Sequence, residues 1–385
     1  MRNFQGRVAA ITGAASGMGR SLSVELARRG CALALSDRNE AGLLETAVLC
    51  SAYAVEVTTQ VLDVSDRAAV FAWAAESAAA HGRINLIFNN AGVAHTASAS
   101  TTAIEDFQWI MGINFWGVVH GTQAFLPYLR ASGEGHVVNL SSLFGLMAMP
   151  TQSTYNASKF AVRGYTEALR MELELEGTAV SATSIHPGGV ATNIVNHSRI
   201  DAQIIESTGQ DADTHRRRAN RLINVTTPDA AALQILAGVQ RNARRVLVGK
   251  DAWFLDKIIR LLGSAYQRVV LRGRRVAMAA CKRLLRSGGC DLGRAVRVVP
   301  ILPVAPTLQG LASSNIARES RMCVCALAAA AAAAAATGQA SGGEAASGAS
   351  PTRPPAEGVA DSAVHSRCSV ACGHDRLRRA VRCWG

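Results

Sequence analysis

The sequence predicts an α/β fold: a doubly wound parallel sheet in a single domain, with helices on both faces. Three observations carry this reading. Short apolar runs alternate with helical stretches of about 12 residues or more along roughly the first 250 positions. The apolar runs are continuous, the pattern of strands buried on both faces. A glycine-rich turn, "TGAASGMG" (12–19), directly follows the first run, where such a fold opens its first helix.

In chain order, "RVAAIT" (7–12) reads as a buried strand and 19–30 as a helix closing on Gly30. "ALALS" (32–36) is the second strand and 39–52 a helix. Then come the strand 56–64, the helix 67–82 and the strand "INLIFNN" (84–90). A helical stretch covers about 104–129, followed by the strand "GHVVNLSS" (135–142), the long helix 153–176 and the strand 179–187. A helix at 228–240 and the strand "RRVLVG" (244–249) complete the domain, assigned to 1–272. Crossovers between parallel strands are expected to be right-handed.

The chain has 385 residues and a formal net charge of +12. That charge is concentrated: residues 272–385 hold about 16 of the 40 Lys and Arg but about 6 of the 28 Asp and Glu. The domain is therefore near neutral, and the basic balance does not argue for nucleic acid as its ligand. The region 273–385, with its Ala run, its Pro/Gly/Ser-rich stretch and its Arg- and Cys-rich end, is expected to be low-complexity and largely disordered. Cys31 and Cys50 alone make no disulfide framework. Cys368, Cys372, His374 and Cys383 lack a regular zinc spacing, and no metal is expected. The start enters an apolar strand at once, and outside the Ala run no uncharged apolar span reaches 18 residues. A cytoplasmic protein is the default expectation.

The strand ends carry the candidate chemistry. Gly13, Ser16, Gly17, Met18 and Gly19 form a turn that lets the backbone approach a pyrophosphate at a helix N-terminus. Asp37 ends the second strand and can accept from ribose hydroxyls; it would repel a 2′-phosphate, which favours NAD over NADP. Arg38 beside it is the residue that would reverse this preference. Asp63, with Val64, follows the third strand and can accept from an adenine amino group. "NNAG" contributes Asn90, Ala91 and Gly92 after the fourth. In "STYNASKF" (153–160), Tyr155 and Lys159 are one helical turn apart on one face. A tyrosine hydroxyl titrates near 10, and an ammonium beside it favours the phenolate.

The order TGxxxGxG, Asp37, NNAG, Asn114, Ser142, YxxxK and PG resembles the short-chain dehydrogenase/reductase family over about residues 5–250. The resemblance implies a Rossmann-like fold and an NAD(P)(H)-dependent oxidoreductase acting on a secondary alcohol or ketone. It makes Tyr155 the acid/base and Lys159 its partner, which also binds the nicotinamide ribose. It makes Ser142, rather than Ser141, the group on the substrate oxygen, and Asn114 the holder of a relay water. Pro187, Gly188 and Val190 would line the nicotinamide, with Thr192 near its carboxamide. It implies a homodimer or homotetramer built on the helices around 104–130 and 153–176. The alternative is a non-catalytic nucleotide-binding scaffold or redox sensor of the same fold.

Residues 191–226 form a long polar insertion, expected to be a mobile lid over the substrate. Ile194, Val195, Ile204 and Ile205 within it, and Leu143, Phe144, Leu146, Met147 and Met149 after Ser142, suggest a lipophilic substrate. His95 and His197 are expected at the surface. The stretch 251–275, with a helix to about 271, is amphipathic with basic flanks. Packing on the core or on a partner subunit is favoured for it over contact with an anionic membrane.

Overall fold

The computed structural model describes residues 3–208, 211–223 and 225–273. Seven parallel strands form the main sheet: β1 (Val8–Thr12), β2 (Ala32–Asp37), β3 (Val57–Val61), β4 (Leu86–Asn89), β6 (Gly135–Leu140), β7 (Val180–Pro187) and β9 (Arg245–Val248). Their order is β3-β2-β1-β4-β6-β7-β9. The chain runs outward from β1 to β3, then returns to place β4 on the other side of β1. That reversal opens a crevice at the carboxyl ends of β1 and β4, where doubly wound sheets take their ligands.

Both faces of the sheet are covered, as continuous apolar strands require. Along β1, Ala9 and Ile11 join one core with Leu22 and Leu26 of α1 (Gly17–Arg28), Leu43 of α2 (Glu40–Ser51) and Leu236 of α9 (Pro228–Gln240). Val8 and Ala10 point the other way, to Trp73 of α3 (Arg67–His81), Phe125 of α5 (Gly117–Ala131) and Leu169 of α6 (Ser153–Leu175). Alternate side chains of one strand thus serve two cores. Cys31 and Cys50 are buried free thiols, pushed up to about 12 and about 11 by that burial.

Three features depart from the sequence reading. The helix expected over 104–129 is α4 (Ile104–Met111), a π-helical turn (Gly112–Trp116) and α5. A second, two-stranded parallel sheet pairs β5 (His95–Thr96) with β8 (Arg199–Ile200). The insertion at 191–226 thereby anchors to the loop after β4, and it carries α7 (Ala202–Thr208) and α8 (Ala212–Ile223). Third, the apolar residues after Ser142, read as a sign of a lipophilic substrate, pack on the C-terminal segment. Leu143, Leu146, Met147 and Met149 form a small core with Leu255 and Val270. Those partners come from α10 (Lys250–Leu262) and the helical residues 266–273. The stretch assigned 251–275 therefore packs on the core with one face, as favoured. The tail beyond 273, including Cys368, Cys372, His374 and Cys383, lies outside the described residues. Among those described, no helix is long and apolar enough to cross a membrane.

The sheet and α5 pack tightly at Gly121. A Cβ on Gly121 would lie 2.0 Å from Asn89 Oδ1, at the end of β4. Asn89 is held there by donating to Asn139 Oδ1 and Thr122 Oγ1, at 2.8 and 3.1 Å. Gly121→Ala is expected to destabilise the protein by roughly 1–3 kcal/mol through overpacking, read as a lowered denaturation midpoint in urea.

Candidate active site

The glycine-rich turn is braced from two sides. Gly13 has φ +68°, and a Cβ there would meet Ala91 Cα at 2.8 Å. A Cβ on Gly19 would meet Gly13 O at 2.0 Å. Asn90 Nδ2 donates to Thr12 O and Gly13 O, at 2.9 and 3.0 Å. Thr12 Oγ1 accepts from the amides of Asn90 and Ala91. From α2, Thr46 Oγ1 donates to Ala14 O at 2.9 Å, and from α1, Arg20 spans Ala15 O, Gly42 O and Glu45. Ser16 leads into α1 with no side-chain capping bond, so the first amides of that helix keep their capacity to bind an anion. Thr192 closes over this end, its Cγ2 3.1 Å from the position a Gly17 Cβ would take.

Asp37 lies at the end of β2. Its Oδ2 accepts from Ala15 N at 3.0 Å and its Oδ1 from Asn39 N at 2.9 Å. Each oxygen retains a lone pair for a ligand hydroxyl. Arg38 is exposed. Asp63 is exposed too, its Oδ1 accepting from Ser65 N and Ser65 Oγ. Met18, Val64 and Val190 bring apolar side chains into the cores rather than polar groups to the crevice.

At the other end of the crevice, Asn114 is fully buried in the π-helical turn. Its Oδ1 accepts from Val93 N at 2.8 Å, and its Nδ2 donates to Val93 O and Ser158 Oγ at 2.9 and 3.1 Å. Ser158 Oγ in turn donates to Tyr155 O at 2.8 Å. The Lys159 side chain is buried, and Nζ donates to Leu140 O, the last residue of β6, at 3.0 Å. Asn114 Oδ1 and Lys159 Nζ each lie 3.3 Å from the position of a Cβ on Gly92. The bare backbone of Gly92 is thus what lets the two share one pocket. Lys159 Nζ is 5.7 Å from the Tyr155 ring centroid, and Phe144 meets that ring edge-on at 6.2 Å.

Ser142 and Ser141 divide as expected. Ser141 Oγ is committed to Lys159 O at 2.7 Å. Ser142 Oγ accepts from Phe144 N at 3.1 Å, and its hydroxyl acts to lower the Tyr155 pKa. His186 fixes Ser142 from β7. Its Nδ1–H donates to Ser142 O at 2.9 Å, and burial pushes its pKa down to about 4, which keeps the ring neutral.

Two electrostatic results shape the chemistry. Burial lowers the Lys159 pKa to about 8, and no carboxylate pairs with it among the described residues. Burial also raises the Tyr155 pKa, with the Ser142 hydroxyl opposing. The net shift of Tyr155 is therefore upward, opposite to the lowering expected from its lysine neighbour.

Sequence reasoning missed several supports. His95 was expected at the surface but is 1% exposed. The pairing of β5 with β8 covers it, and its Nδ1 is 3.0 Å from Thr154 Oγ1, next to Tyr155. Asp251 reads locally as a solvated acid in a helix first turn, yet it is buried. Its Oδ2 accepts from Gly189 N at 2.7 Å and occupies the space a Cβ on Gly188 would need. A Cβ on Gly189 would meet Ile223 O at 2.8 Å. The Pro187–Val190 turn is thus clamped between α10 and the end of the insertion. No local signal announces either role.

A buried ammonium without an acid partner costs stability. Lys159 titrates near 10.4 in an unfolded chain and at about 8 in the fold. The cost is therefore full below pH 8 and fades as pH rises from there toward the unfolded value. Lys159→Met is expected to stabilise the protein by roughly 1–3 kcal/mol at pH 7. The gain should shrink by pH 10, as read by urea denaturation at both pH values.

Comparisons with known proteins agree with this geometry. The family model described as short chain dehydrogenase matches residues 7–203. The SadH protein of Mycobacterium tuberculosis is 43% identical over 273 residues, 71% of this chain and 97% of SadH. Levodione reductase of Leifsonia aquatica is 39% identical over 199 residues, 51% of this chain and 73% of that protein. Among solved structures, a short-chain dehydrogenase/reductase from Burkholderia phymatum in complex with NAD matches with TM-score 0.61. It is 30% identical and covers 68% of this chain and 95% of its own. An NAD-bound short-chain dehydrogenase from Mycobacterium paratuberculosis matches with TM-score 0.55 at 25% identity, covering 64% of this chain and 98% of its own. The chain belongs to the short-chain dehydrogenase family of oxidoreductases.

Proposed function

We propose that the protein interconverts a secondary alcohol and a ketone with NAD(H), using Tyr155 as acid/base. The observation that carries this reading is the meeting of Tyr155, Lys159, Asn114 and Ser142 at one end of a crevice whose other end is an uncapped helix N-terminus. The crevice suits a dinucleotide. The amides of Gly17, Met18 and Gly19 would take the pyrophosphate. The lone pairs left on Asp37 would take the adenosine ribose hydroxyls, and its charge disfavours a 2′-phosphate. Two structural relatives carry NAD in their crystals, which supports the same preference. When bound, the nicotinamide supplies the exchange of two electrons and a hydrogen with the substrate carbon.

The protein's own part is proton handling and charge stabilisation. Ser142, oriented by His186, donates to the substrate oxygen as charge grows there. Tyr155 gives or takes the proton on that oxygen. Lys159 holds a positive charge in a dry site, where it favours the phenolate more strongly than it would in water. Asn114 Oδ1 and Lys159 Nζ face one pocket at Gly92, which suits a relay water between them. A raised Tyr155 pKa leaves the hydroxyl protonated at neutral pH, ready to donate to a ketone. Alcohol oxidation needs the phenolate, so its rate should climb as the solution is made alkaline, while ketone reduction should not.

Substitution of Tyr155 by Phe tests the assignment. The expected outcome is a loss of roughly 100-fold or more in kcat in both directions, with NADH affinity changed by no more than about threefold and the alkaline rise in oxidation abolished. Unchanged turnover by Tyr155→Phe would remove Tyr155 from the chemistry.

A further inference from the structure

The C-terminal end of the described chain has two unlike faces. The inner face packs Leu255, Ile259, Tyr266 and Val270 on the residues that follow Ser142. Tyr266 Oη secures it by accepting from Ala148 N at 2.9 Å. Outside that packing, Trp253, Leu261, Val269 and Leu271 are exposed at 53, 85, 37 and 47%. Over 250–273 the exposed charged residues are Lys250, Lys257, Arg260, Arg268 and Arg272, all cations. Both acids of this stretch, Asp251 and Asp256, are buried, and Asp256 Oδ2 accepts from Arg260 at 2.8 Å, so that one of these cations is already paired.

We propose that this outer face docks on an anionic lipid bilayer. Aromatic and aliphatic side chains flanked by Lys and Arg, on helices too short and too charged to cross, make an interfacial surface. Lys257 Nζ lies 3.7 Å over the Trp253 ring, so a cation and an indole are presented together at one depth. Charge selects the occupant. A second copy seated on this face about a two-fold axis would bring cations against cations with no exposed acid to answer them. Anionic headgroups neutralise the same cations while the acyl boundary takes up the four apolar side chains.

The position has a consequence that rests on the oxidoreductase reading. The inner face of this segment covers Leu143–Met149, and Phe144 of that stretch touches the Tyr155 ring. A docked bilayer would therefore lie one packed layer from the chemistry, and the substrate it delivers would be a membrane-soluble alcohol or ketone.

The test uses the full chain and phosphatidylcholine vesicles with or without phosphatidylglycerol. The tail beyond 273 is itself basic, so the variants lie in the docking face and keep the tail. The wild type is expected to sediment with the anionic vesicles and to shift its tryptophan emission to the blue. Trp253→Phe should lose most of that shift. The double variant Leu261→Asp, Val269→Asp should lower the bound fraction roughly fivefold or more, with circular dichroism and NADH binding unchanged. Wild-type protein that stays off anionic vesicles would overturn the proposal. So would a double variant that binds as well as wild type, since another surface would then carry the binding. A wild-type oligomer that the double variant converts to monomer in equilibrium sedimentation would also overturn it, making this face a subunit interface. None of these readouts depends on turnover, so docking and the oxidoreductase reading stand or fall separately.

Discussion

The desolvation of Lys159 is the constraint on which the site depends. An ammonium in a low-dielectric pocket stays charged only at a cost, and the surrounding structure is arranged to keep it there. Leu140 lends the last carbonyl of β6 as acceptor. Ser141 ties the Lys159 carbonyl to the strand end, which fixes the register of α6 against the sheet. Gly92 removes the side chain that would otherwise fill the pocket. Dryness then works in two directions. It raises the Tyr155 pKa, and it magnifies whatever stabilisation the Lys159 charge gives a developing phenolate.

The sheet and its carboxyl-edge motifs were legible because their signals are local. Continuous apolar runs mark strands buried on both faces, and β1 shows why: Val8 and Ala10 serve one core, Ala9 and Ile11 the other. The spacing of Tyr155 and Lys159 follows from the period of a helix. The π-helical turn at Asn114 was not legible, since it is fixed by the grip of Asn114 on Val93 and Ser158, distant in sequence. His95 was misplaced for the same reason: its partners, Arg199 across the strand pair and Thr154 at its ring, are distant in sequence. Asp251 looks like an ordinary first-turn acid until the glycines at 188 and 189 are seen packed around it and Ile223. The residues after Ser142 were read as a sign of a lipophilic substrate, but four of them, Leu143, Leu146, Met147 and Met149, pack on the C-terminal segment.

The same contacts join parts of the chain that sequence order keeps apart. The Pro187–Val190 turn, assigned here to the nicotinamide side, is held by Asp251 on α10 and by Thr226, whose amide donates to Gly189 O at 2.9 Å. The insertion is tied at its other end through β8 to β5, and through His95 to the first turn of α6. The insertion thus contacts both backbone segments that frame the chemistry.

The central claim is that one crevice holds a dinucleotide at Asp37 and the glycine turn, and a proton donor at Tyr155. Its most direct test is titration of the purified protein with NADH and with NADPH, followed by nicotinamide fluorescence. The account predicts saturable binding of both nucleotides or of NADH alone, with NADH the tighter, because Asp37 accepts ribose hydroxyls and repels a 2′-phosphate. Tighter NADPH would mean that Arg38 overrides Asp37 and would contradict the cofactor assignment. Folded protein that binds neither would contradict the oxidoreductase reading as a whole.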